Sequence, residues 1–159
     1  MILKKINLFL TFLFAGYFSF GQYTGKIIQV IDGDSFIVEM IDGTKEKVTF
    51  YGIDAPELDQ EYGKAAKNYL KKYLYTMVDL EYKNRNTDAE MMAIVYYLDQ
   101  EESKVNLNYE VVENGLAWKN KYTDDNQLDR IEKKARRKKI GLWKNPRAIE
   151  PWEWKEKEG

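Results

Sequence analysis

Hydrophobic and polar positions divide the chain into an apolar leader, a zone of strict alternation and a zone of helical spacing. Lys4 and Lys5 precede an apolar run from Ile6 to Phe18 broken only by Asn7, Thr11 and Gly16, and Ser19 and Gly21 follow. A basic start, a short apolar core and small residues three and one positions before Gln22 predict a signal peptide over residues 1–21, cleaved after Gly21. The run is short for a membrane span and no second hydrophobic stretch follows it. The expected mature chain is therefore residues 22–159, exported to the periplasm or the medium and free of the membrane.

From Tyr23 onward, short β-branched and aromatic runs alternate with turn signals. Lys26–Ile31, Ser35–Ile41 and Lys45–Tyr51 are separated by Asp32-Gly33 and Asp42-Gly43, the pattern of three antiparallel strands joined by tight turns. After Pro56, the residues Tyr62, Ala65, Ala66, Tyr69, Leu70, Tyr73 and Leu74 recur on one face, predicting an amphipathic helix over Gln60–Leu74. Met77–Lys83 and Met91–Leu98 read as two further strands, linked by the polar stretch Asn84–Glu90. A short helix around Leu107–Glu113 stops at Gly115, and a longer one from about Asn126 to Lys139 is closed by Gly141.

Five short strands interrupted by one helix and followed by others predict a mainly β fold with α elements. The expectation is an α+β domain built on a five-stranded Greek-key barrel of the oligonucleotide- or oligosaccharide-binding type, with about three helices. At 159 residues, 44% of them hydrophobic, the chain suits one core and leaves no room for a second full domain.

Composition narrows the chemistry. Cysteine and histidine are both absent, which excludes disulfides, thiolate metal sites, His-ligated zinc and any triad that uses imidazole as its base. Removing Lys4 and Lys5 with the leader takes the formal charge from −1 to about −3, a balance without global attraction for nucleic acid. What remains is carboxylate, lysine, tyrosine or hard-metal chemistry.

The acids gather in two places: Asp32-Gly33-Asp34-Ser35, and Asp54-Ala55-Pro56-Glu57 twenty residues after Asp34. If the first three strands pair as expected, Asp34 and Asp54 meet at one end of the barrel. Two carboxylates without His or Cys suit a hard cation such as calcium. The same residue types also serve as a hairpin turn and a helix cap, and spacing alone does not separate the two readings.

Val30-Ile31-Asp32-Gly33-Asp34-Ser35, Gly52-Ile53-Asp54-Ala55-Pro56-Glu57 and Tyr62-Gly63-Lys64-Ala65-Ala66 stand in an order and spacing that resembles the staphylococcal-nuclease (thermonuclease-like) family. The likeness continues through Val105-Asn106-Leu107, Asn114-Gly115-Leu116-Ala117-Trp118, Gly141-Leu142-Trp143 and Pro151-Trp152-Glu153-Trp154, nearly the whole mature chain. The resemblance implies Ca²⁺ held by Asp34, Asp54 and the backbone carbonyl of Ala55, with Asp32 in the outer shell. It also implies Glu57 as the base that activates water for phosphodiester hydrolysis.

Two departures stand against that set. The family's arginine five residues before the Asp54 position is Thr49 here, and its second arginine, at the start of the Met91 strand, is Glu90. Lys45 and Lys47 on the Thr49 strand, and Arg85 five residues before Glu90, are the candidate substitute cations. An ammonium is a point charge that cannot reproduce the bidentate guanidinium grip, so weak or absent turnover is expected.

Tyr122 is a candidate base-stacking residue. The basic stretch Lys133–Lys139 reads first as cations at a helix C-terminus, and Trp143, Trp152 and Trp154 as anchors of the tail. The expected protein is an exported, monomeric thermonuclease-family member directed at DNA or RNA. The alternative is an inactive binding module of the same fold that takes nucleic acid, glycan or protein.

Overall fold

The computed structural model describes residues 22–158; the expected signal peptide lies outside them. Eight strands and four helices follow in order: β1 (Gln22–Val30), β2 (Ser35–Met40), β3 (Lys45–Phe50), β4 (Ile53–Asp54), α1 (Gly63–Leu70), β5 (Met77–Arg85), β6 (Met91–Leu98), β7 (Lys104–Asn106), α2 (Leu107–Glu113), β8 (Trp118–Lys119), α3 (Asn126–Arg137) and α4 (Pro151–Glu158). The five expected long strands form the barrel: β1 runs antiparallel to β2 and β5, β2 to β3, and β5 to β6. Closure comes from a parallel contact between β3 and β6, with Val48 opposite Met91, Thr49 opposite Met92 and Phe50 opposite Ala93.

Alternation explains why these segments are strands, since one face of each is buried. Val38, Val48, Phe50, Leu80, Ala93 and Val95 have no exposure at all, and Phe36 meets Phe50 edge to face at 5.2 Å. A second cluster lies under the C-terminal half, where Trp118 packs edge to face on Trp143 at 5.4 Å beside Ala135 and Leu142. Trp152 packs against this cluster, so the tail is anchored by tryptophan as expected.

Several boundaries depart from the sequence pattern, among them the start of β1 at Gln22 and the short strand β7, which the pattern did not mark. The first helix is regular only over Gly63–Leu70 and continues as a 3-10 turn, Lys71–Tyr73. Its expected first turn is instead a separate bend: the Gln60 amide donates to the Glu57 carbonyl at 3.0 Å, and Tyr62 takes a left-handed φ of 70°. The third strand ends at Phe50, and the pair β4–β8, with Asp54 opposite Trp118, is short enough to carry no periodicity. The tail adds a fourth helix, α4.

Candidate active site

The loop between β1 and β2 is folded around Asp32. Its Oδ1 accepts from the backbone amides of Asp34 (3.0 Å) and Ser35 (2.7 Å), and its Oδ2 accepts from the Ser35 hydroxyl at 2.7 Å. This side-chain-closed turn aims Asp34 across the barrel end, where its Oδ2 accepts from the Ala55 amide at 2.7 Å. Gly33 is required by crowding: a Cβ there would lie 2.6 Å from the Cβ atoms of both Ala55 and Ala66. The loop therefore seats directly on the Asp-Ala-Pro-Glu segment and on α1.

Asp54 lies on β4, and its Oδ2 accepts from Asn120 Nδ2 at 2.5 Å, a partner supplied by the turn after β8. Burial, reinforced by the neighbouring Asp32 charge, pushes the Asp34 carboxyl well above the usual carboxylate range. Burial likewise raises Asp54, against the opposing pull of the Asn120 hydrogen bond. Both shifts follow first from burial of the carboxylates in one partly closed corner.

Glu57 sits at the turn into α1, half-exposed. Its amide donates to Gln60 Oε1 at 3.1 Å, and the turn is packed so tightly that a Cβ on Gly63 would fall 1.7 Å from the Glu57 carbonyl oxygen. Its carboxylate is met by a residue the sequence pattern did not single out: Lys155 of α4, whose Nζ lies 2.8 Å from Glu57 Oε1. The Lys155 charge also reaches Asp34 and Asp54, and the Lys121 charge reaches Asp54.

The two positions that lack arginine lie side by side. Thr49 Oγ1 donates to Glu90 Oε2 at 3.1 Å, and Asn86 Nδ2 donates to the same oxygen at 2.8 Å. Lys47 forms an ion pair with Glu90 Oε1. Arg85 is engaged by Glu46 at 3.2 Å and by the Ala89 carbonyl at 2.6 Å, while Lys45 is exposed on β3. Tyr122 is 84% exposed, with the Lys121 ammonium 5.1 Å from its ring centroid.

The structure thus brings Asp32, Asp34, Asp54, Ala55 and Glu57 to one end of the barrel, and puts Lys47 on Glu90 and Arg85 on Glu46. Sequence reasoning missed Lys155 and Asn120. Lys155 follows Trp154 in a charged tail, and Asn120 stands in an ordinary turn; neither carries a periodic signal. The basic stretch on α3 is partly neutralised, with Lys134 on Glu113 at 2.6 Å and Arg136 on Glu132 at 3.1 Å.

Comparison with known proteins shows which family the chain resembles. Residues 47–145 match the family described as staphylococcal nuclease homologue. An uncharacterized endonuclease of Haemophilus influenzae is 32% identical, across 99% of this chain and 89% of its own length. The micrococcal nuclease of Shigella flexneri is 30% identical over 86% of this chain and 83% of its own, and the thermonuclease of Staphylococcus hyicus is 30% identical over 82% of each.

Proposed function

The chain belongs to the staphylococcal nuclease homologue family, and on that premise we propose that it is an exported, calcium-dependent nucleic-acid hydrolase of slow turnover. The observation that carries the reading is the placement of Asp34, Asp54 and Glu57 at the same end of the barrel, held by the Ala55 amide, Asn120 and Gln60. Export rests on the leader at residues 1–21, and no described helix is long and apolar enough to cross a membrane.

The donor set fits a hard divalent cation. The acids supply only oxygen, and a bound cation would favour the charged carboxylates that burial at Asp34 and Asp54 works against. Among the described residues no three acidic, histidine or cysteine side chains converge on one point. The cation would therefore rest on Asp34, Asp54 and the Ala55 carbonyl, with water completing the shell and Asp32 behind it. Calcium bound there supplies Lewis-acid stabilisation of charge on a phosphate oxygen.

This chain's own groups account for the proton. Glu57 accepts one from water as the water oxygen bonds to phosphorus, and the bond from phosphorus to the sugar oxygen breaks. That oxygen leaves with a proton from solvent. Gln60 holds the Glu57 backbone in place for this role. The Thr49–Glu90 contact supports slow turnover, because it puts a carboxylate where a phosphodiester needs positive charge. The same contact favours the second reading, a binding module on a nuclease frame.

Calcium titration followed by thermal unfolding tests the metal assignment. The melting temperature should rise with calcium, by an amount set by mass action, and Asp34→Asn should remove the rise. An unchanged melting temperature in wild-type protein at millimolar calcium would defeat the assignment.

A further inference from the structure

We propose that Lys155, carried by α4, is the phosphate-binding cation of this site: it rests on Glu57 without substrate and moves to a phosphate oxygen when a phosphodiester enters. The inference depends on the nucleolytic reading and names the group that does the work expected of the absent arginines.

Three observations converge on it. The first is contact, since Lys155 Nζ stands 2.8 Å from the carboxylate that would activate water. Attack on phosphorus puts the reacting atoms about 3–3.5 Å apart, so a phosphate served by Glu57 lies within the reach of a lysine that already touches Glu57. The second is access. The Lys155 side chain is 68% exposed, and exposed ion pairs contribute only about 0–1 kcal/mol, so an incoming anion can displace one at little cost.

The third is a tie between α4 and the base. Gln60 is 7% exposed and bridges the two: its Oε1 accepts from the Glu57 amide at 3.1 Å, and its Nε2 donates to the Ile149 carbonyl at 2.5 Å, two residues before α4 begins. Trp152 packs against the second core cluster from within α4. Lys155 is therefore delivered to Glu57 by a helix fixed at its entry and along its first turn.

Of the candidates drawn from the strands, Lys45 lies opposite Glu39 at the end of β3 away from Asp34, and the other two are engaged by acids of the chain. Lys47 closes on Glu90, and Arg85 on Glu46 and Ala89. Lys155 alternates between a carboxylate that belongs to the chain and a phosphate that belongs to the substrate. Substrate binding then also releases Glu57 to take the proton from water.

The test compares wild-type protein with Lys155→Met, Lys155→Arg and the remote control Lys134→Met, each checked for an unchanged melting temperature. Two readouts are taken in calcium: hydrolysis of single-stranded DNA, and calorimetric titration with thymidine 5′-phosphate. Lys155→Met should lower kcat/KM at least about tenfold and weaken nucleotide binding about fivefold, as expected for loss of a charge-assisted contact. Lys155→Arg should retain both, and Lys134→Met should match wild type. Wild-type or faster turnover with unchanged affinity in Lys155→Met would overturn the proposal. Should the wild-type protein show no turnover, the hydrolytic reading fails and the titration decides: weaker binding by Lys155→Met sustains the phosphate site, and equal binding or none by either protein overturns it.

Discussion

Thr49 and Glu90 are hydrogen-bonded to each other, Oγ1 to Oε2 at 3.1 Å, across the parallel seam that closes the barrel. The two positions where the family resemblance calls for arginine are thus a single local unit, neutral on β3 and acidic at the entry to β6. Lys47 completes it by pairing with the same carboxylate.

Contact between these positions makes their substitutions non-additive. An arginine at position 49 alone would be captured by Glu90, so Thr49→Arg should raise turnover little. Combined with Glu90→Arg it should raise kcat about 10²-fold or more, since a phosphate-directed arginine contributes roughly 10³ to 10⁵ in rate. A double-mutant cycle on single-stranded DNA cleavage measures the coupling.

Glu90 also links this unit to acid stability. Burial works against its charge, but hydrogen bonds from Lys47, Asn86 and Thr49 outweigh that effect and hold its carboxyl below the ordinary value of 4.5. A depressed folded-state value contributes stability that is fully present above the unfolded value and is lost as pH falls through the folded one. Glu90→Gln should therefore be less stable than wild type by about 1 kcal/mol at pH 7. The gap should close below pH 4.5, as followed by urea unfolding at a series of pH values.

The five strands and the acidic corner were legible because both depend on short-range order. Alternation marks each strand, and Asp32-Gly33-Asp34-Ser35 and Asp54-Ala55-Pro56-Glu57 are contiguous segments whose hydrogen bonds are largely their own or each other's. The Thr49–Glu90 contact was not legible. It exists only because β3 meets β6 in parallel, a pairing between residues 41 apart that no local pattern encodes. Lys155 was hidden for a related reason: α4 has little amphipathic character, and its placement depends on Gln60 reaching Ile149 across 89 residues.

A polar knot away from the site ties four elements together. Glu110 Oε1 accepts from the hydroxyls of Tyr69 (2.7 Å) and Tyr73 (2.9 Å), and its Oε2 from that of Tyr97 (2.9 Å), which joins α1, the 3-10 turn after it, β6 and α2. Burial, with the help of these bonds, pushes all three phenols up beyond their ordinary range. Glu110→Ala should cost about 2–4 kcal/mol of unfolding free energy, since it strips the acceptor from three partly buried donors. Single Tyr→Phe changes should cost about 1 kcal/mol each. Calcium affinity should be unaltered in every folded variant, which separates this knot from the site.

Calcium-dependent hydrolysis through Glu57 is tested by release of acid-soluble nucleotide from single-stranded DNA by residues 22–159 with calcium, beside a chelator control and Glu57→Gln. Slow release that disappears in both controls is the expected result. Release that persists in Glu57→Gln, or none at high protein concentration, would contradict it.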